Sequence, residues 1–366
     1  MKTKCLAISV LALLFLITAT VWSSTNDQRK VTVHEWGTFT SVAGEDGVAT
    51  PWRTYGGRED LPCFVNTFGG FKFQIPALVR METPVLYFYG SQDTTADVKV
   101  DFPKGTITEW YPQASSQPNN GIEWRNIRIL PHAEQSFPAG KGASHYYTAR
   151  ETDAAPIQVG TQNEKFLFYR GVGSFPPPIS AKAMADGKVL VRSLSDAPVE
   201  GVILFENRGG KLGYTLAGAV HGEVTLDRHS LEGDLSSLFR DLESVLVAQG
   251  LYPKEAHAMV QTWSDSWFEE GTRLFYIVPK QNVDSVLPLR IDPKPAEISR
   301  VFVGRMEIIT PEIQSDVRLA LAQSDRSTLE KHGRFLEPIA KRIGAQNALL
   351  DSIYSSYSNH ATNCSK

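Results

Sequence analysis

The sequence predicts a β-rich α+β fold, with antiparallel, sandwich-like sheets followed by helices in the C-terminal third. Three observations predict it. Short β-branched and aromatic runs, punctuated by Gly and Pro, fill the first two-thirds of the chain. Helical spacing of apolar residues begins only near residue 234. The 366 residues are 42% hydrophobic and 21% charged, which excludes a mainly disordered chain and is enough to fill a large core without a stapling metal or disulfide.

Residues 1–23 read as a signal peptide. Lys2 and Lys4 form a positive n-region and residues 11–17 a short apolar h-region, while Val21 and Ser23 suit cleavage near Ser23 or Ser24. The apolar run is short for a membrane span of ~20 residues, and no later stretch is apolar enough to cross a bilayer. Export to the periplasm or the extracellular space is expected. Cleavage removes two lysines and no acid, so the formal charge moves from −3 to −5. Such a balance, with no basic run interleaved with aromatics, argues against a nucleic-acid partner. Cys5 leaves with the signal. Cys63 and Cys364 remain as disulfide candidates in an oxidising compartment, or as two free thiols.

Residues 24–175 read as an N-terminal β domain. Residues 31–39 alternate, and 85–89 form a short apolar run. Residues 98–102 and 106–111 flank Pro103-Lys104-Gly105 and read as a hairpin; 124–130, 144–150 and 165–169 continue the strand pattern. The run Phe175-Pro176-Pro177-Pro178 cannot join a ladder and marks a domain boundary. Residues 179–310 read as a second, β-sandwich or α+β domain that opens with strands at 188–194, 199–206 and 212–217. Asp234 caps a helix with apolar residues at Leu235, Leu238, Phe239, Leu242, Val245 and Leu246, ended by Gly250. Pro253 opens a second helix that Gly271 stops. Strands follow at 272–278, 287–291 and 298–309. Residues 311–366 read as a C-terminal helical segment, with Thr310 as cap.

No HExxH, GxSxG, Walker loop, GxGxxG or CxxC occurs, and no two of the eight histidines are spaced i, i+4. No cofactor is assigned. The informative residues are polar groups in apolar patterns. Period two puts Val31, Val33, Glu35, Gly37 and Phe39 on one face of the first strand, and Thr32, His34, Trp36 and Thr38 on the other. Glu35 thus lies on the more apolar face, beside a glycine that permits close approach. A carboxylate there is either paired with an arginine or held with a raised pKa. Met259, Val260, Trp263 and Trp267 form a helical stripe on which Glu270 also falls, with Arg273 or another arginine as partner. Trp263 and Trp267 themselves read as core or as cleft. The segment 145–153 offers His145, Arg150 and Glu151 as a polar site or a solvated edge. Arg170 is a counter-ion candidate for Glu35 or Glu151. Glu109 is a weaker version of Glu35, and His132 reads as a loop histidine.

The strings VHEWGTFTSVAGEDG (residues 33–47) and TWSDSWFEEGTRLFYIVP (262–279), with residues 60–65, resemble exported bacterial proteins of uncharacterised function. That resemblance implies export and transfers no activity, fold or site residue.

Two functional classes remain. The first is a non-catalytic extracytoplasmic module that binds a glycan, an envelope component or a protein, or builds the envelope; six tryptophans past the signal and 12 tyrosines suit such surfaces. The second is a secreted hydrolase in which Glu35 and Glu270 divide acid and base work, or in which His34 or His145 adds a metal site. His34 and Glu35 point to opposite faces of a regular strand, which weakens the metal reading.

Overall fold

β-Branched and aromatic residues at period two make Thr32–Val42 a strand, β1, which is buried on both faces. The computed structural model describes residues 31–53, 61–68, 76–140, 144–228 and 230–360. Eight further strands precede the proline triplet: β2 (Asn66–Thr67), β3 (Val79–Tyr89), β4 (Thr94–Asp101), β5 (Gly105–Tyr111), β6 (Gly121–Ile129), β7 (Ile157–Val159), β8 (Gln162–Glu164) and β9 (Leu167–Gly173). After it come β10 (Ile179–Ala183), β11 (Val189–Ser193), β12 (Val199–Arg208), β13 (Lys211–Val220) and β14 (Glu223–Leu226). Helices α1 (Leu235–Ala248) and α2 (Pro253–Thr262) lead to β15 (Gly271–Ile277), α3 (Lys280–Val286), β16 (Leu289–Asp292) and β17 (Glu297–Glu307). Then follow α4 (Pro311–Gln323), α5 (Arg326–Lys331), α6 (Leu336–Arg342) and α7 (Ala348–His360). With 39% strand, 24% helix and the α-helices gathered late, this is the β-rich α+β class that the sequence predicts.

Nine strands form the central sheet, in the order β13-β12-β15-β17-β1-β3-β9-β5-β2. Its neighbours are antiparallel except β1 and β17, which run parallel over eleven residues. Two smaller sheets, β16-β4-β6-β7-β8 and β10-β11-β14, cover one face. Val33, Phe39, Phe88 and Phe302 meet Val98, Trp124, Ile179 and Val191 in that core. On the other face, Leu238 and Leu242 of α1 and Met259 and Val260 of α2 pack on Trp36, Val85, Phe168 and Phe275. Helices α4 to α7 gather a third apolar cluster around Val42, Trp52 and Ile309.

The helix start signals and the Gly250 stop held. Asp234 accepts from the Ser237 amide at the start of α1, Gly250 follows it at φ +106°, and Thr310 caps α4 with Pro311 in its first turn. Several strand assignments need correction. Residues 98–102 and 106–111 do not form a hairpin, because β4 pairs with β6 and β16 while β5 pairs with β2 and β9. The turn between them carries the chain from one sheet to another. Residues 144–150 are not a strand: Ser144 caps a 3-10 turn, His145–Arg150. Helix α2 ends at Thr262, well short of Gly271. The proline triplet does not divide the central sheet, which takes β1, β2, β3, β5 and β9 from before it and β12, β13, β15 and β17 from after it.

Glycine sets the closest approaches inside the sandwich. A Cβ on Gly37 would stand 2.8 Å from the Phe302 ring, the close contact its place beside Glu35 implied. On Gly304 it would stand 2.0 Å from the ring of Tyr276, a rigid group buried in the same core. Gly304→Ala should therefore destabilise the protein by about 3 kcal/mol, the upper range for overpacking a core. A urea midpoint equal to that of the unaltered protein would contradict this packing.

Candidate functional site

Glu35 is fully buried between the sheets. Arg300 stands opposite it across the parallel pair and donates from Nε to Oε2 at 2.6 Å; the Tyr169 hydroxyl donates to Oε1. Arg300 also donates to Asp284 Oδ1 and to the Leu287 carbonyl, each at 2.8 Å. Glu35 is thus in a closed ion pair, and its counter-ion is Arg300 rather than Arg170.

On the opposite face of β1, His34 Nδ1 shares a hydrogen bond with Glu255 Oε2 at 2.7 Å. Tyr89 donates to Glu255 Oε1 at 2.8 Å, the Tyr252 amide donates to Oε2 at 2.7 Å, and the Tyr252 ring lies 4.4 Å from the imidazole. Glu255 completes a capping box at the start of α2 and ties that helix to β1 and β3.

Further along this face, apolar residues give way to charge. Register aligns Thr38 with Glu82, and Thr40 with both Arg80 and Arg305. Strand β9 adds Arg170 opposite Glu109 of β5, and β15 adds Arg273 opposite Glu307. Arg334 enters from the 3-10 turn Gly333–Phe335. Glu82 accepts from Arg334 Nη1 at 2.6 Å and from Thr40 Oγ1 at 2.9 Å, with Arg80 Nε 3.0 Å away. Arg273 donates to Glu307 at 2.8 Å, and Arg305 Nη2 reaches Glu269 at 3.2 Å. The Phe335 ring lies 4.9 Å from the Arg305 guanidinium and 5.7 Å from that of Arg273. Arg170 lies 5.7 Å over the Trp263 ring, which stacks on Trp267.

The result is an ionic belt between two apolar clusters. Among the described residues, five guanidiniums (Arg80, Arg170, Arg273, Arg305 and Arg334) meet four carboxylates (Glu82, Glu109, Glu269 and Glu307). Burial opposes the charge of Glu82, but Arg334, Arg80, Arg305 and Arg170 outweigh it and hold the carboxyl down at about 2. Arg305 shows the opposite balance: burial, with Arg273 and Arg334 acting in the same direction, lowers its guanidinium to about 9. Its Nε and Nη1 have no hydrogen-bond partner among the described residues. Thr38 Oγ1, Ser266 Oγ and the indole nitrogens of Trp263 and Trp267 are likewise buried without one.

The residues picked from the sequence divide between this belt and other places. Arg170, Arg273, Trp263 and Trp267 belong to the belt. Glu270 does not: the helical angle that put it on the tryptophan stripe ends with α2 at Thr262. Its carboxylate instead accepts from the Gly209 amide at 2.7 and 3.0 Å, at the β12–β13 turn. Glu269 takes the belt position. Arg273 binds Glu270 only through the backbone carbonyl, at 2.8 Å. His145 stacks on Trp263 and lies 3.2 Å from Asp265. Arg150 is locked bidentate on Glu164 at 2.7 and 2.9 Å, and Glu151 is exposed. His132 is in a loop, bonded to the Ser91 carbonyl. Cys63 is disulfide-bonded, while Cys5 and Cys364 lie outside the described residues. Among the described residues, no three His, Cys, Asp or Glu side chains gather as a metal-ligating set.

No protein-family model matches the chain, and no curated protein matches it in sequence. Among solved structures, the Fcho1 mu homology domain of Danio rerio with bound Eps15 peptide is 8% identical at a TM-score of 0.31, covering 77% of this chain and 98% of that one. The yeast delta-COP-I mu-homology domain is 7% identical at a TM-score of 0.32, covering 76% and 98%. Likenesses this slight carry nothing over to the chain studied.

Glu82→Gln leaves buried guanidiniums without their carboxylate and should cost about 3–5 kcal/mol near neutral pH. The folded carboxyl ionises near 2, below the ordinary value of 4.5. Its stabilisation is therefore complete above about pH 4.5 and is lost as pH falls towards 2. Urea midpoints of the two proteins should converge over that interval, and a gap independent of pH contradicts the assignment.

Proposed function

We propose that this chain is an exported, non-catalytic binding module whose partner is a glycan, an envelope component or a protein. One observation carries the non-catalytic part: Glu35 and Glu270, the acids that could have shared hydrolytic work, are each committed elsewhere and lie far apart. Glu35 is sealed between sheets on β1 against Arg300. Glu270 is at the β12–β13 turn, three strands from β1 and beyond the far end of its pairing with β17. Strand spacing and rise put them more than about 20 Å apart, against the ~5–9.5 Å that a carboxylate pair needs across a glycosidic bond. The positive and apolar start of the sequence supports export, and a bonded Cys63 fits an oxidising compartment.

Expression of the full chain with a C-terminal tag, followed by fractionation and intact-mass measurement, tests export. The expected product lies outside the cytoplasm and begins near Ser23 or Ser24. An uncleaved cytoplasmic product overturns that part of the proposal. Glu35→Gln tests the other part: it should lower stability by about 3–5 kcal/mol, because Arg300 is left buried beside a neutral amide. An unchanged denaturation midpoint would sink the structural role of Glu35 and reopen the carboxylate-hydrolase reading.

A further inference from the structure

The two strings singled out in the sequence, residues 33–47 and 262–279, are more than two hundred positions apart and meet at the ionic belt. The first supplies Thr38 and Thr40; the second supplies Trp263, Ser266, Trp267, Glu269 and Arg273. Almost every polar atom left over there is a donor. Arg305 has no exposure and a single carboxylate contact at 3.2 Å, with Nε and Nη1 unmatched among the described residues. Nearby, Thr38 presents a buried hydroxyl that also lacks a hydrogen-bond partner among the described residues. Arg305 and Thr38 thus lack acceptors among the described residues, and an oxygen-rich anion supplies them in the fork geometry that guanidinium prefers. The belt also reaches solvent at one rim, where the side chains of Arg80, Arg334 and Glu269 keep 12%, 10% and 23% exposure.

We propose that the belt is a binding site for one small oxyanion group (phosphate, sulfate or carboxylate), entered at the Arg80–Arg334 rim, with Arg305 as its innermost donor. This rests on the binding-module reading and names its ligand chemistry. The group arrives either as a free inorganic ion or as the charged substituent of a sugar.

Thermal unfolding and tryptophan fluorescence of the full chain, titrated with phosphate, sulfate and glucuronate against chloride at matched ionic strength, test the proposal. A saturable rise of about 5 °C at a hundredfold excess over Kd is expected, with a fluorescence change from Trp263 beside Arg170. A response to the inorganic ions alone identifies the free ion, and a stronger one to glucuronate identifies the sugar-borne group. Arg305→Gln should unfold at or above the temperature of the unaltered protein without ligand and lose at least tenfold in affinity. Arg192→Gln, at an exposed pair with Glu223, should titrate normally. If Arg305→Gln does not fold, Arg80→Gln at the rim serves in its place, again with weakened binding expected. No response beyond chloride, or a full response in the belt variant, overturns the oxyanion site. Either result leaves export and the role of Glu35 to their own tests, so the two failures are told apart.

Discussion

The Glu35–Arg300 pair joins the first strand described to one of the last, and much of the architecture follows from it. A carboxylate and a guanidinium removed from water each cost several kcal/mol, recovered only when geometry is good and the remaining hydrogen-bonding capacity is met. Tyr169, Asp284 and the Leu287 carbonyl meet most of it here, leaving only Arg300 Nη2 unmatched among the described residues. These partners come from β9, from α3 and from the residue that ends that helix. Setting the pair therefore fixes the register of β1 against β17 and docks α3 beneath the sheet. Parallel strands require a long connection. In this chain that connection contains both smaller sheets and the first helices, so one cross-strand contact closes a loop of 265 residues.

Being buried on both faces, β1 must solve the same problem twice. Its second face does so by zones: His34 is met by Glu255, Trp36 enters the apolar cluster under α1 and α2, and Thr38 and Thr40 open the ionic belt. Beyond the belt, Val42 joins the cluster under α4 to α7. The two helical groups thus sit on one sheet face with charge between them. Arg334 and Phe335 reach into the belt from the second group, and Glu269 and the Trp267 carbonyl from the turn after α2.

The sequence disclosed this unevenly, for identifiable reasons. Periodicity and caps made β1, α1 and α4 readable because those signals are local. Glu35 stood out because a lone acid in an alternating apolar run has few places to go. The same test applied to Leu78-Val79-Arg80-Met81-Glu82 and to Val303-Gly304-Arg305-Met306-Glu307 finds four belt residues, and sequence reasoning passed over both runs. Pairings were harder. Arg300 and Glu35 are matched only by a parallel register that no local pattern encodes. Glu270 was misplaced because a helical projection was carried past the point where the helix stops, and one residue of error exchanged it for Glu269. The assumed hairpin at 98–111 failed for a similar reason: a Pro-Lys-Gly turn reverses direction but does not say whether the next strand returns to the same sheet.

Stability alone is a poor reason for the belt. Replacing a buried ionic cluster with well-packed apolar side chains is often neutral or stabilising, and the clusters on either side show that this sheet face accepts such packing. The belt is also not balanced for stability. Arg305 lies at full depth with two nitrogens unmatched and its guanidinium drawn down to about 9, which means that the folded protein disfavours its charge. The Arg334–Glu82 pair is tight at 2.6 Å, while Arg305 keeps two unmatched nitrogens at full depth. A shortfall at that depth fits a site in which part of the electrostatic complement arrives from outside. It makes Arg305, which gains least from the folded protein, the residue on which a ligand would have most effect.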